Sequence, residues 1–265
     1  MDVRSLGYRT DLALLRYGGS EVEDRGDHLV IRSPHNPTFW WGNFVLAQQP
    51  PAPGPEPAQR WLDVFVQVFP DAEHVAIGID GAAGTSADLA GFVELGLNAD
   101  ASSVMTARSV HEPRHPHRGA SYRPLTSDQD WDDLVDLTVA VEERHEKVSY
   151  RVFAEARART ARKLTDAGQG AWFGAFVDGR LLASMGLVRA DEELARFQDV
   201  GTHPVARGQG LAGTLVHHVS EYGFQTFGVQ TLVMVADPEY LAIRLYRALG
   251  FTSSETQLGV DRSPT

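Results

Sequence analysis

The sequence predicts an α/β architecture on a mixed sheet, and three observations predict it. Apolar strand runs alternate with helix-spaced segments in both halves of the chain, an antiparallel hairpin interrupts the second half, and the two halves repeat one order of elements. After Asp11, LALLRYG and DHLVIRSP read as strands, followed by FWWGNFVLAQ, and the proline-rich stretch from Gln48 to Gln59 reads as a loop. RWLDVFVQVF has helical spacing, HVAIGID is a short apolar strand, ADLAGFVELG a helix closed by Gly96, and SSVMTARSV a further strand. From His111 to Gly119 the chain has prolines and charges without periodicity, which marks a linker. The expected organisation is therefore a first domain over 1–110, a linker over 111–120 and a second domain over 121–265. His111, His115 and His117 suggest metal ligands, but nothing in their spacing imposes a coordination geometry, and no metal site is assigned.

The second half opens with a strand, SYRPL, and a helix whose start is marked by Ser127 and Asp128, with Asp130 in its first turn. Helical pattern resumes from Val152 to Leu164. WFGAFVDGRLLASMGLV is a hairpin, because Asp178-Gly179 is a preferred two-residue turn between apolar runs. ARFQDVGTHP is a strand, and a glycine-rich turn after it opens a helix reaching about Phe224. TLVMVAD is a buried strand, PEYLAIRLYRALG a helix with Pro238 near its start and Gly250 after its end, and the tail a last strand.

With 265 residues the chain has enough length for two domains. The absence of cysteine excludes disulfides, thiolate metal sites and cysteine nucleophiles. The net charge of −11 argues against nucleic acid as a partner, since that role needs basic surface. No apolar run approaches the roughly 20 residues of a membrane span, and the opening residues lack a secretory signal, so a cytoplasmic location without membrane attachment is expected.

The repeat is visible in pairs. HVAIGID with LAGFVELGL matches LVMVADP with LAIRLYRALGF, which sets Phe92 opposite Tyr246; FWWGNFVLAQ matches ARFQDVGTHP. Between them the first half has QQPPAPGPEP where the second has VARGQG. Proline lacks the N–H that a phosphate cradle is made of, so the first half reads as a copy that has lost its cradle.

In the second half Gly208, Gly210 and Gly213 fit the G-x-G-x-x-G template of a dinucleotide turn, with Asp237 near a ribose-binding position. Three features oppose that reading. Too little chain follows Asp237 to complete such a fold, Pro204 to Arg207 separate the strand from the glycines, and the strand carries Arg196, Gln198 and Asp199 where a strand apolar on both faces is expected.

Read from Arg207, the stretch Arg207-Gly208-Gln209-Gly210-Leu211-Ala212 resembles the acetyl-CoA pyrophosphate loop of the GNAT superfamily, whose motif is Gln/Arg-x-x-Gly-x-Gly/Ala. A helix N-terminus, small residues and one cation suit a pyrophosphate physically. The resemblance covers about Ser121 to Gly259 and includes the hairpin, the strand before the loop, and Leu245-Tyr246 with Leu249-Gly250-Phe251. It implies two GNAT-like domains, each a mixed, mostly antiparallel sheet flanked by helices, with the second alone catalytic. It further implies transfer of an acetyl group from acetyl-CoA to a primary amine by direct attack, the acceptor being a small-molecule or peptide amine.

By the same resemblance the cosubstrate is held by Val200, Gly201, Thr202, Arg207, Gly208, Gln209, Gly210, Leu211, Ala212, Gly213 and Tyr246, and Tyr246 protonates the departing thiolate. The family often has Asn seven residues before that tyrosine, where this chain has Glu239. Candidate general bases are Glu142, Glu143, His145 and Glu146 at the end of the first helix of the second half, with Asp199 and His203 on the central strand. Helical spacing would put Glu142 and Glu146 on one face. A CoA-binding sensor or scaffold without turnover is the second reading, and a nicotinamide- or flavin-dependent oxidoreductase the third.

Overall fold

The structure, a computed structural model, describes residues 1–143, 146–239 and 242–263. The chain forms two compact units, and neither is continuous: the first comprises Met1–Met105, Val235–Ile243 and Ser253–Thr265, the second Thr106–Met234 and Arg244–Thr252.

In the first unit, helix α1 (Leu6–Tyr17) is followed by strands β1 (Glu21–Asp24), β2 (His28–Arg32) and β3 (Phe44–Ala47), helix α2 (Pro55–Val68), strand β4 (Val75–Ile79), the short helix α3 (Ala90–Glu94) and strand β5 (Asn98–Ala107). The expectation of a strand after Asp11 is corrected by α1. Ser5 caps this helix by accepting from the Tyr8 N–H, and Tyr8, Leu12 and Leu15 share one helical face against Leu29, Ile31, Phe44 and Leu46. Helix α2 begins earlier than its apolar pattern, because Pro55 suits the first helical position and Gly54 supplies the cap at φ +108°. Its Trp61, Leu62 and Phe65 pack on Val45 and Ile77. Phe44 and Leu46 face α1 while Val45 faces α2, so the two helices cover opposite faces of the sheet.

In the second unit β6 (Ser121–Pro124) leads to α4 (Asp128–Val141) and α5 (Lys147–Asp166), then β7 (Gly170–Val177), β8 (Arg180–Arg189), β9 (Leu194–Thr202), α6 (Leu211–Tyr222), β10 (Thr231–Ala236) and α7 (Ala242–Ala248). Strands β6 to β9 pair antiparallel in sequence order, and β10 pairs parallel to β9. Asp178 (φ +50°) and Gly179 (φ +78°) close the β7–β8 hairpin as the sequence predicts. Trp172 of β7 faces α4 and α5, whereas Phe173 meets Tyr222 of α6 edge-on at 4.9 Å, so these helices lie on opposite faces. Helix α4 starts with a reciprocal capping box between Ser127 and Asp130.

The repeat is structural. In each unit a strand, a helix and a second strand form a parallel pair, β3-α2-β4 and β9-α6-β10, with a short helix after the second strand. The last strand, β11 (Thr252–Arg262), pairs antiparallel with β4, setting Leu258 beside Ile79 and Val260 beside Ile77. The sequence boundaries run the second domain through residue 265 and treat 111–120 as a linker; residues 253–263 pack within the first compact unit, and 111–120 within the second. No helix among the described residues is long and apolar enough to cross a membrane.

Candidate active site

Strand β9 breaks its ladder at one point. Ser184 pairs with Gly201 and Gly186 with Gln198, so β9 carries one residue more than β8 between those pairs, and Asp199 there adopts φ +51°. A non-glycine residue at positive φ is uncommon, and Asp is among those that tolerate it. The bulge turns the backbone from Asp199 to Gly201 away from regular pairing and onto a cavity of about 220 Å³.

That cavity lies between β8, β9 and the helix pair α4–α5, and Glu142, Asp199, Val200 and Gly201 all line it. Tyr150, Arg157, Trp172 and Ser184 join them, residues that sequence reasoning missed. The available signal was on α5, where Tyr150, Ala154, Arg157, Ala158 and Ala161 recur at helical spacing as one face. Arg157 is ion-paired with Asp199. The Tyr150 phenol is held above its usual pKa, first by burial and then by the negative charge of Glu142, with which it is hydrogen-bonded.

Glu142 and Glu146 are not joined by one helix, contrary to the helical spacing expected of them. Helix α4 stops at Val141, Glu142 is extended, and α5 begins at Lys147, because the charged run between them has no apolar face to pack. Glu146 is exposed ahead of α5 and does not line the cavity. His145 lies outside the described residues. His203 caps the 3₁₀ turn Pro204–Ala206, its Nδ1 accepting from the Val205 N–H at 3.3 Å.

That turn delivers the glycine loop. Gly208 (φ +75°) and Gly210 (φ +84°) hold left-handed backbone, and Gly210 caps α6, whose first turn contains Leu211, Ala212 and Gly213 with N–H groups that have no intrahelical acceptor. Gln209 folds back to the Val205 carbonyl at 3.0 Å. Around Gly208 a side chain would meet nothing within 4 Å, whereas a Cβ on Gly210 would sit 2.3 Å from the His115 carbonyl oxygen. The expected linker is thus a strap on α6: the His117 N–H donates to Thr214 Oγ1 at 3.0 Å and Tyr122 Oη to the His117 carbonyl at 2.9 Å. Among the described residues no group of metal-ligating side chains converges.

Arg207 is exposed, bonded to Glu143 at 2.8 Å and to the Thr202 carbonyl at 3.4 Å. Tyr246 on α7 is only 5 % exposed and lies edge-on to Phe251, itself edge-on to Phe197 of β9. It does not line the cavity. The positive-φ loop ahead of a helix N-terminus, with a cation beside it, has the chemistry of an anion cradle. The bulged strand leads from it to a cavity with carboxylates.

A bulged strand, a glycine-capped helix and a helix-covered cavity stand together in the second unit. Residues 131–251 match the model of the acetyltransferase (GNAT) family. No curated protein matches the sequence. Among solved structures, a functionally unknown conserved protein from Staphylococcus epidermidis aligns over 92 % of this chain and 93 % of its own, at a TM-score of 0.72 and 11 % identity. A GCN5-related N-acetyltransferase from Kribbella flavida aligns over 98 % and 96 %, at 0.67 and 15 %. A tandem GNAT protein from the clavulanic acid biosynthesis pathway aligns over 97 % and 88 %, at 0.59 and 16 %. The likeness is one of fold, and it extends through both units.

Proposed function

We propose that the chain transfers an acetyl group from acetyl-CoA to a primary amine by direct attack of the amine on the thioester. The observation that carries this reading is the continuity of the β9 bulge with the glycine-capped α6: Asp199 to Gly201 border the acceptor cavity, and Arg207 to Gly213 follow on the same segment as the anion cradle. Arg207, Gly208, Gly210 and the first-turn N–H groups of α6 would hold the pyrophosphate, and the backbone of Val200 to Thr202 the pantetheine arm. The base that takes the ammonium proton is drawn from Glu142 and Asp199, the carboxylates that line the cavity. The first unit is a degenerate copy: Pro55 and Pro57 remove N–H donors from the first turn of α2, and Phe92 has no hydroxyl.

The burial of Tyr246 favours a second reading, a CoA binder without turnover. Calorimetry with acetyl-CoA together with thiol release across an amine panel separates the two. Binding with release supports acetyl transfer, binding without release for every amine supports the binder, and binding of a nicotinamide or flavin nucleotide in place of acetyl-CoA sinks both.

A further inference from the structure

The lining of the acceptor cavity sorts by exposure. Leu134, Leu137, Ala154, Ala158, Ala161 and Trp172 are each less than 9 % exposed, whereas the Arg157 and Asp199 side chains are 43 % and 39 % exposed. The depth is thus apolar and the mouth charged. Trp172 lies flat over Gly186, where a Cβ would come within 2.4 Å of the indole, so a glycine at that position makes room for the ring beneath the cavity. One polar group interrupts the depth: Ser184, 3 % exposed, lines the cavity. Among the described residues that line the cavity, Glu142 and Asp199 stand against Arg157, which leaves one net negative charge. A carboxylate offers about four lone-pair sites, so one that holds a phenol or a guanidinium retains capacity for an ammonium.

A dry cavity of about 150 Å³ takes a benzene molecule. The 220 Å³ here leaves about 70 Å³ beyond such a ring, room for a short chain that ends at the mouth. We propose that the acceptor is a monoamine carried by a short chain on an apolar, ring-sized body, the chemistry of a 2-arylethylamine. The ring occupies the depth over Trp172 and the ammonium meets Glu142 and Asp199.

This inference rests on the acetyl-transfer reading. The ammonium releases a proton to a mouth carboxylate, the nitrogen bonds to the acetyl carbon, the carbon–sulfur bond breaks and the thiolate takes a proton. An ammonium and acetyl-CoA thus become an acetamide, CoA thiol and one proton. A diamine or a polyhydroxylated amine would have to bury charge or hydroxyls among leucine and alanine side chains, which is strongly unfavourable without partners.

The test measures thiol release from acetyl-CoA with 2-phenylethylamine, ethylamine, 1,4-diaminobutane and a tripeptide with N-terminal alanine, with acetyl-CoA affinity read in parallel by calorimetry. The expected kcat/KM for 2-phenylethylamine exceeds each of the others at least about tenfold, since even one methylene in an apolar pocket is worth that much. Ala158→Leu, which fills the depth, is expected to raise the KM for 2-phenylethylamine at least about tenfold with the acetyl-CoA Kd unchanged. Should that variant fail to fold, Glu142→Gln at the mouth serves, with the same expected rise in KM. Ethylamine, the diamine or the peptide equalling 2-phenylethylamine would overturn the acceptor class and leave acetyl transfer standing. Acetyl-CoA binding without thiol release for any amine overturns the acceptor class and leaves CoA binding; no acetyl-CoA binding at all overturns the acetyl-transfer reading and this inference with it.

Discussion

At the scale of single residues, three positions separate binding, chemistry and packing. Arg207 is exposed and paired with the exposed Glu143, so Arg207→Glu is expected to weaken acetyl-CoA binding tenfold or more, on the order of one charge-assisted contact, with the thermal midpoint moved by no more than about 2 °C. Calorimetry and a melting curve read both, and unfolding at room temperature would remove Arg207 from the cradle. Gly210 behaves differently. A Cβ there would strike the His115 carbonyl and φ is +84°, so in Gly210→Val a stability loss of about 1–3 kcal/mol should accompany the loss of binding. Tyr246 and Phe92 occupy matching places and are 5 % and 0 % exposed. If Tyr246 protonates the thiolate, Tyr246→Phe lowers kcat by about 10²- to 10⁴-fold with the KM for acetyl-CoA little changed, and the deficit shrinks with a more acidic leaving thiol. Phe92→Leu should instead cost about 1 kcal/mol of stability without a specific catalytic defect. Equal kcat for wild type and Tyr246→Phe, where chemistry limits turnover, leaves Tyr246 as a core aromatic.

At the scale of elements, the start of α4 carries a pH dependence. Arg123 donates to both Asp130 oxygens at 2.9 and 2.8 Å, and the N–H groups of Thr126 and Ser127 donate to the same carboxylate. The Arg123 guanidinium, and then those N–H groups against the opposing effect of burial, hold the Asp130 carboxyl well below its usual range. Its folded pKa is therefore lower than its unfolded one near 4, so its stabilisation is present in full above about pH 4 and is lost as pH falls further toward the folded value. Asp130→Asn is expected to lower stability at pH 7 by about 1–2 kcal/mol and to flatten the acid limb below pH 4, as read from urea midpoints. An acid limb unchanged in the variant would assign the titration elsewhere. Elements also show what local reading reaches. Ser127 and Asp178-Gly179 act within one turn of themselves and were legible, whereas Pro238 lies in a turn and the described helix α7 begins only at Ala242, and α1 was misread because a run of leucines fits a buried strand as well as a helix until its Ser5 cap is weighed.

At the scale of the whole molecule, the chain's last strand sits in the first unit. Leu258 and Val260 share a core with Trp61, Phe65 and Phe92, and β11 supplies the antiparallel neighbour of β4. Removal of residues 253–265 is therefore expected to expose the segment 1–105 to limited proteolysis before the segment 106–234; cleavage in the reverse order would contradict the assignment of β11. The sequence by itself determined the α/β class, the repeat and the glycine-rich turn ahead of α6, because each is written in residues close together or in a period that strands and helices impose. Only the tertiary structure decided which carboxylates meet. Glu142 and Asp199 come to one cavity, Glu146 does not, and Ser184 and Trp172 become its depth, because the end of α4 and the bulge in β9 depend on what packs across the sheet and leave no local mark in the chain.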